Sequence, residues 1–168
     1  TLARELPFSF LDHALLHGDS LVGLSVEQIC CFHWRAGEPI KLIAEIVLED
    51  LDRAAACRVE LSSASSDRQR QRLLAEADRH CERPRLLADV IVGAFYFNDR
   101  PKAREAERAR RLALAQAWLR GDGRAHSELV LMQGELRQRT TAFHWQVQLQ
   151  EIFRSRPPRP FDDARGNP

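Results

Sequence analysis

The hydrophobic positions divide this chain into a helical middle and two flanks of different character. Between residues 40 and 61 the apolar side chains fall at Leu42, Ile43, Ile46, Val47, Leu51, Ala54 and Ala55, the spacing of a helix with one buried face. Ahead of it, Ser25-Val-Glu-Gln28 has the form of a capping box and predicts a short helix, interrupted by Gly37-Glu-Pro39. The run Ser62-Ser-Ala-Ser-Ser66 ends the long helix and caps another over 67–81. Pro84 suits a first helical position and predicts a fresh start. Residues 86–97 are apolar nearly all round and predict a buried helix, although Val90-Ile-Val-Gly93 alone would suit a strand. Asn98-Asp-Arg-Pro101 reads as a turn, 102–119 as a helix stopped by Gly121-Asp-Gly123, and 127–139 as one more.

The flanks lack this periodicity. Pro7 breaks an opening helical turn, and Leu15-Leu-His17 reads as a short strand entering the turn Gly18-Asp-Ser20. Residues 143–153 are apolar and mixed, and Arg156-Pro-Pro-Arg-Pro160 forces an extended stretch. The expectation is a predominantly α chain of four or five helices over 25–140, flanked by strand pieces at 1–24 and 141–168.

Composition narrows the class without naming it. The 168 residues carry 25 basic and 24 acidic side chains, so any nucleic-acid surface must be local rather than a property of the whole charge. No apolar run reaches the roughly 20 residues needed to cross a bilayer, and no signal-like stretch opens the chain. Cys30, Cys31, Cys57 and Cys81 form no C-x-x-C pair, and reduced thiols in a cytoplasmic protein are expected. The absence of an initiator Met and the stop at Gly166-Asn-Pro168 lead us to expect a segment of a longer protein.

Three stretches carry candidate chemistry. In Phe10-Leu-Asp-His-Ala-Leu-Leu-His-Gly-Asp-Ser-Leu-Val-Gly23, a strand ending in Gly-Asp-Ser puts the Asp19 carboxylate where ligands of nucleotide-binding sheets sit. Such an acceptor suits the exocyclic amino group of adenine, and Gly18 lets the backbone come close; an ordinary turn would use the same residues. In Phe143-His-Trp-Gln-Val-Gln-Leu-Gln-Glu-Ile-Phe153 the aromatics could stack on bases. They could equally anchor a core, with Phe143 and Trp145 on one strand face and His144 on the other. Arg104, Arg108 and Arg111 align on one helix face and could meet phosphates, or form a solvated face with Glu105 and Glu107. Cys30-Cys31-Phe-His33 has ligand-type atoms, but no four-ligand spacing exists, and no metal is expected.

Taken in order, the two flanking stretches resemble large adenine-specific DNA methyltransferases, the type IIG restriction–modification enzymes and the BREX-type phage-defence methylases. The first stretch resembles that family's "FLD…L…G(N/D)SL(V/I)G" segment, and Phe143-His-Trp with Glu151-Ile-Phe153 resembles its "FHW…PE(V/I)F" segment. A helical insertion of variable length separates the two in the family. The resemblance covers about the first 25 and the last 30 residues. It implies pieces of an incomplete Rossmann-like α/β methyltransferase domain around a helical insertion. It also implies S-adenosylmethionine as cofactor in the intact parent, with Asp19 on the adenine ring and Ser20 and Leu21 lining the same pocket. Double-stranded DNA and the remaining methyltransferase core would be the partners, with Arg104, Arg108 and Arg111 as the DNA contacts. No catalytic residue is carried over: the family's glycine-rich first motif is absent, and its Asn-Pro-Pro-aromatic motif is incomplete. Phe161-Asp-Asp-Ala-Arg-Gly-Asn-Pro168 is either that motif truncated or the loop before it. The segment alone is therefore expected to be inactive. The competing expectation is a self-contained helical DNA-binding or protein-interaction module. That module would pack its ends against one core, whereas the methyltransferase reading leaves them as strands without a sheet.

Overall fold

The computed structural model describes residues 18–149, and these are helical almost throughout. Six helices follow in order: α1 (Val26–Cys30), α2 (Lys41–Glu60), α3 (Asp67–Tyr96), α4 (Pro101–Leu119), α5 (Gly123–Arg137) and α6 (Trp145–Gln148). A 3-10 turn, Leu61–Ser63, joins α2 to α3. The mostly α class expected from the periodicity is what the chain adopts, and no strand occurs among the described residues beyond one isolated bridge. The expected helix end at 1–5, the strand at 15–17 and the extended stretch at 156–160 lie outside the described residues.

Local chemistry sets the helix ends. The capping box is complete at α1: the Ser25 hydroxyl accepts from the Gln28 amide, and the Gln28 side chain accepts from the Ser25 amide. Ser66 caps α3 in the same sense by accepting from the Gln69 amide. α1 ends in a Schellman turn, in which Phe32 donates to the Ile29 carbonyl and His33 to the Gln28 carbonyl. Glycine is usual at the left-handed position of that turn, but here Phe32 holds it at φ 49°. Its ring is fully buried, and that burial offsets a backbone cost of about 1–2 kcal/mol.

Two boundaries differ from expectation. Pro84 does not restart a helix: α3 runs unbroken through it for 30 residues. Pro84 has no N–H to give the carbonyl one turn back, a loss of about 3 kcal/mol in a helix interior. It is itself buried, and Leu86–Ala94 that follow pack against neighbours on nearly every side, which holds the helix together across the gap. The last long helix starts at Gly123 rather than near Ser127, because Asp122 accepts from the amides of Arg124 and Ala125 at 2.8 and 3.2 Å.

α3 is the central element, packed against α2, α4 and α5. Its second half buries Leu86, Leu87, Ala88, Val90, Ile91, Val92 and Ala94. α2 contributes the stripe Ile43, Val47, Leu51 and Ala54, and α5 contributes Leu129, Met132 and Leu136. Leu24 and Val147, from the two flanks, belong to the same apolar cluster.

Charges inside this core are matched. Asp50, 1% exposed, accepts a two-pronged bond from Arg83 at 2.6 and 2.7 Å. Glu107 and Arg111 are both buried and pair at 2.7 Å, one turn apart on α4. Such pairs add little net stability, but breaking one costs about 3–5 kcal/mol because a bare charge remains buried.

Candidate functional site

The two flanks meet. The Asp19 amide donates to the Thr141 carbonyl at 2.7 Å, and the Phe143 amide donates to the Val22 carbonyl at 2.7 Å. Asp19 and Ala142 form a parallel bridge. This pairing explains both glycines of Gly18-Asp-Ser-Leu-Val-Gly23. A Cβ on Gly23 would lie 2.2 Å from the Phe143 carbonyl oxygen, and one on Gly18 would lie 2.9 Å from the Phe143 ring. The close approach expected of Gly18 is made to the returning chain.

Asp19, Ser20 and Leu21 form the exposed tip of this segment, and Leu21 is 94% exposed. One carboxylate oxygen of Asp19 accepts from the Leu21 amide at 3.0 Å and closes the turn. Beside it, the Trp145 indole donates to the Ser20 carbonyl at 3.2 Å, and the Phe143 and Trp145 rings meet edge to face at 4.7 Å. The tip thus offers a solvent-facing carboxylate between an apolar side chain and an indole. That arrangement can accept hydrogen bonds from an amino group on a flat heterocycle. Residues 10–17 and 150–153 of the two stretches, and the 161–168 stretch, lie outside the described residues.

His144 does not lie on a strand, since Trp145 already opens α6, and it points into the core at 1% exposed. Its Nδ1 accepts from the Leu24 amide at 3.1 Å, and its Nε2 faces Asp89 Oδ1 at 3.0 Å. An amide N–H can only donate, so Nδ1 carries the lone pair and the ring proton sits on Nε2, donating to Asp89. The second Asp89 oxygen accepts from Gln133 at 2.7 Å and lies 3.7 Å from Arg137. One imidazole therefore ties the first flank to the second, and both to α3 and α5. In parallel, the Gln146 side chain accepts from the Val26 amide at 2.7 Å. Asp89, Gln133 and Arg137 were not singled out from sequence. The available signal was Asp89, the one charged residue in the apolar run 86–97.

Of the α4 arginine stripe, Arg111 is buried while Arg104 and Arg108 are partly exposed, and all three meet groups of the protein itself. Arg111 is buried, with Nε on Glu107 at 2.7 Å and a terminal nitrogen on the Val90 carbonyl at 3.0 Å. Arg108 bonds Glu105 at 2.9 Å and the Phe32 carbonyl at 3.3 Å. Arg104 donates to the Asn98 carbonyl, and its guanidinium lies 4.3 Å over the Phe95 ring. All three charges are thus engaged with the protein's own groups.

The remaining predicted ligand-type groups are dispersed. His33 pairs with Glu105 at 3.2 Å, away from the thiols beside it in sequence. Burial, with a further push from neighbouring Cys31, raises the Cys30 thiol to about 11. No disulfide joins the four cysteines, all of which lie among the described residues. No helix among the described residues is long and apolar enough to cross a membrane. Comparison of the chain with protein-family models, curated proteins and solved structures returned no match. The functional reading accordingly rests on the geometry of the paired flanks.

Proposed function

We propose that this chain is the helical insertion, with its two flanking segments, of a large S-adenosylmethionine-dependent DNA adenine methyltransferase of restriction–modification or phage-defence type, inactive by itself. The observation that carries the reading is the parallel bridge between Asp19 and Ala142, with the hydrogen bonds that join Asp19 to Thr141 and Phe143 to Val22. Parallel neighbours need a long crossover between them, usually helical, and here the helical block is that crossover. The resemblance assigns the two segments to successive pieces of one Rossmann-like sheet, where neighbours run parallel.

On this reading Asp19 accepts from the exocyclic amino group of the cofactor's adenine, with Ser20 and Leu21 beside the ring. The exposed carboxylate and the 94% exposed Leu21 suit that chemistry. The cofactor, when bound, supplies the methyl group. The target adenine leaves the duplex to reach it, and orientation of the amino nitrogen carries most of the catalysis. The groups that grip that adenine belong to the Asn-Pro-Pro-aromatic motif, which this chain lacks. The second reading, a self-contained helical DNA-binding or protein-interaction module, is favoured by Leu24 and Val147 joining the helices in one core.

Two measurements separate the readings. Calorimetric titration of this chain with S-adenosylmethionine is expected to give no micromolar binding, and micromolar affinity would overturn the proposal. The reading frame around the chain is expected to encode D-x-x-x-G-x-G upstream and G-N-P-P-F or G-N-P-P-Y downstream. In that protein Asp19→Ala should raise KM for the cofactor about tenfold, the value of one charge-assisted hydrogen bond. A frame without either motif leaves the module reading.

A further inference from the structure

Away from the paired flanks, one cluster combines three kinds of metal-ligating atom. Cys57 lies near the end of α2, and Glu76 and His80 lie one turn apart on α3, the helix that packs against it. The Cys57 sulfur, a Glu76 carboxylate oxygen and a His80 ring nitrogen all fall within 4.8 Å of one another. Each residue is partly buried, so the atoms are neither sealed in the core nor swept by solvent.

We propose that Cys57, Glu76 and His80 form a zinc-class divalent metal site that bridges α2 and α3 on the side of the Leu61–Ser63 turn that joins them. Thiolate, imidazole and carboxylate are the three donor types that Zn²⁺ takes, and three protein ligands leave a fourth position for water or a further group. Bond lengths of about 2.0–2.3 Å put the ligand atoms of a tetrahedral site roughly 3.3–3.7 Å apart. The cluster must therefore close by about an ångström, within reach of the side-chain torsions of Glu76. The site's position gives it a purpose. The last buried residue of α2 is Ala54, and Leu73 and Ala77 are buried on α3. A metal bond beyond Ala54 would add a cross-link between the two helices. A bound dication would displace the thiol proton to solvent as the sulfur–metal bond forms.

The inference stands apart from the methyltransferase reading, and its test needs no enzymatic activity. The chain is stripped with chelator under reducing conditions and titrated with Co²⁺ alone. The expected result is one ion per chain, with a thiolate-to-cobalt absorption band that Zn²⁺ abolishes by competition. Zn²⁺ binding followed in buffers of different ionisation enthalpy should release about one proton. Cys57→Ser should remove the band, and Glu76→Gln and His80→Gln should each weaken binding at least tenfold. Cys31→Ser should leave both unchanged, with circular dichroism confirming that each variant stays helical. A spectrum without thiolate character overturns the proposal, as does affinity unchanged by Glu76→Gln and His80→Gln. A stripped chain whose melting temperature and absorption ignore both metals overturns it too.

Discussion

Gly93 lies inside α3, where alanine would normally stabilise the helix by about 1 kcal/mol. The structure predicts the opposite sign. A Cβ at Gly93 would stand 2.5 Å from a terminal nitrogen of Arg111. A free side-chain end would swing aside, but this one is held. The same guanidinium donates to the Val90 carbonyl at 3.0 Å and through Nε to Glu107 at 2.7 Å, and the residue is 5% exposed. Making room for the methyl group means giving up the Val90 bond, a charge-assisted contact worth about 1.5–3 kcal/mol. Set against the helix-propensity gain, Gly93→Ala should destabilise the protein by about 0.5–2 kcal/mol. Arg111→Leu removes the obstacle while Arg110 still serves Glu107 at 2.8 Å. In that background, itself about 3–5 kcal/mol less stable, Gly93→Ala should stabilise by up to about 1 kcal/mol. Urea denaturation of the four proteins completes the cycle, with a coupling of about 2 kcal/mol expected between the two positions. Gly93→Ala shifting both backgrounds in the same direction would refute the claim that Arg111 dictates this glycine.

Acid should unfold the protein partly through Glu107. Hydrogen bonds from Arg110 hold its carboxyl below the ordinary range, with burial opposing and Arg111 adding to the depression. A depressed folded-state value means stability that is full above the unfolded value of about 4.3 and is lost as pH falls through the folded one. Glu107→Gln should therefore flatten the dependence of stability on pH below about 4, read from urea midpoints, and an unchanged slope contradicts the assignment. Gly23→Ala should break the flank pairing, since its methyl group meets backbone that cannot swing away. Amide exchange at Asp19 and Phe143 should rise by at least tenfold while the α3 amides stay protected, and retained protection at both positions would show the pairing is not what holds the flanks.

The helical plan was legible because local rules decide it. The capping box at Ser25, the cap at Ser66 and the period of Ile43, Val47, Leu51 and Ala54 are all statements about neighbours in sequence. The run 86–97 forms a helix despite its strand-like centre, because it continues a capped and packed element. What sequence could not supply was direction in space. Arg104, Arg108 and Arg111 do share a face, but periodicity cannot say whether that face meets solvent or Glu107, Phe95 and the Phe32 carbonyl. Pro84 misled for a related reason: its backbone penalty is local, while the burial that offsets it comes from α2, α4 and α5. At the candidate site, the order of the two flanking stretches was legible and their contact was not.

That contact depends on a histidine whose role only the fold could assign. His144 and Leu24 are 120 positions apart, and the imidazole accepts from one flank while belonging to the other. A buried ring with both nitrogens engaged has a single orientation, and Asp89 fixes it from α3 with Gln133 behind it on α5. Phe143 and Trp145, on either side, are thereby set toward the Ser20 tip, where the indole meets the Ser20 carbonyl. The exposed Asp19 turn is thus positioned by a polar network rooted in the helical block. A helical block wired this way holds its two flanks together, which is what the proposed function would ask of it.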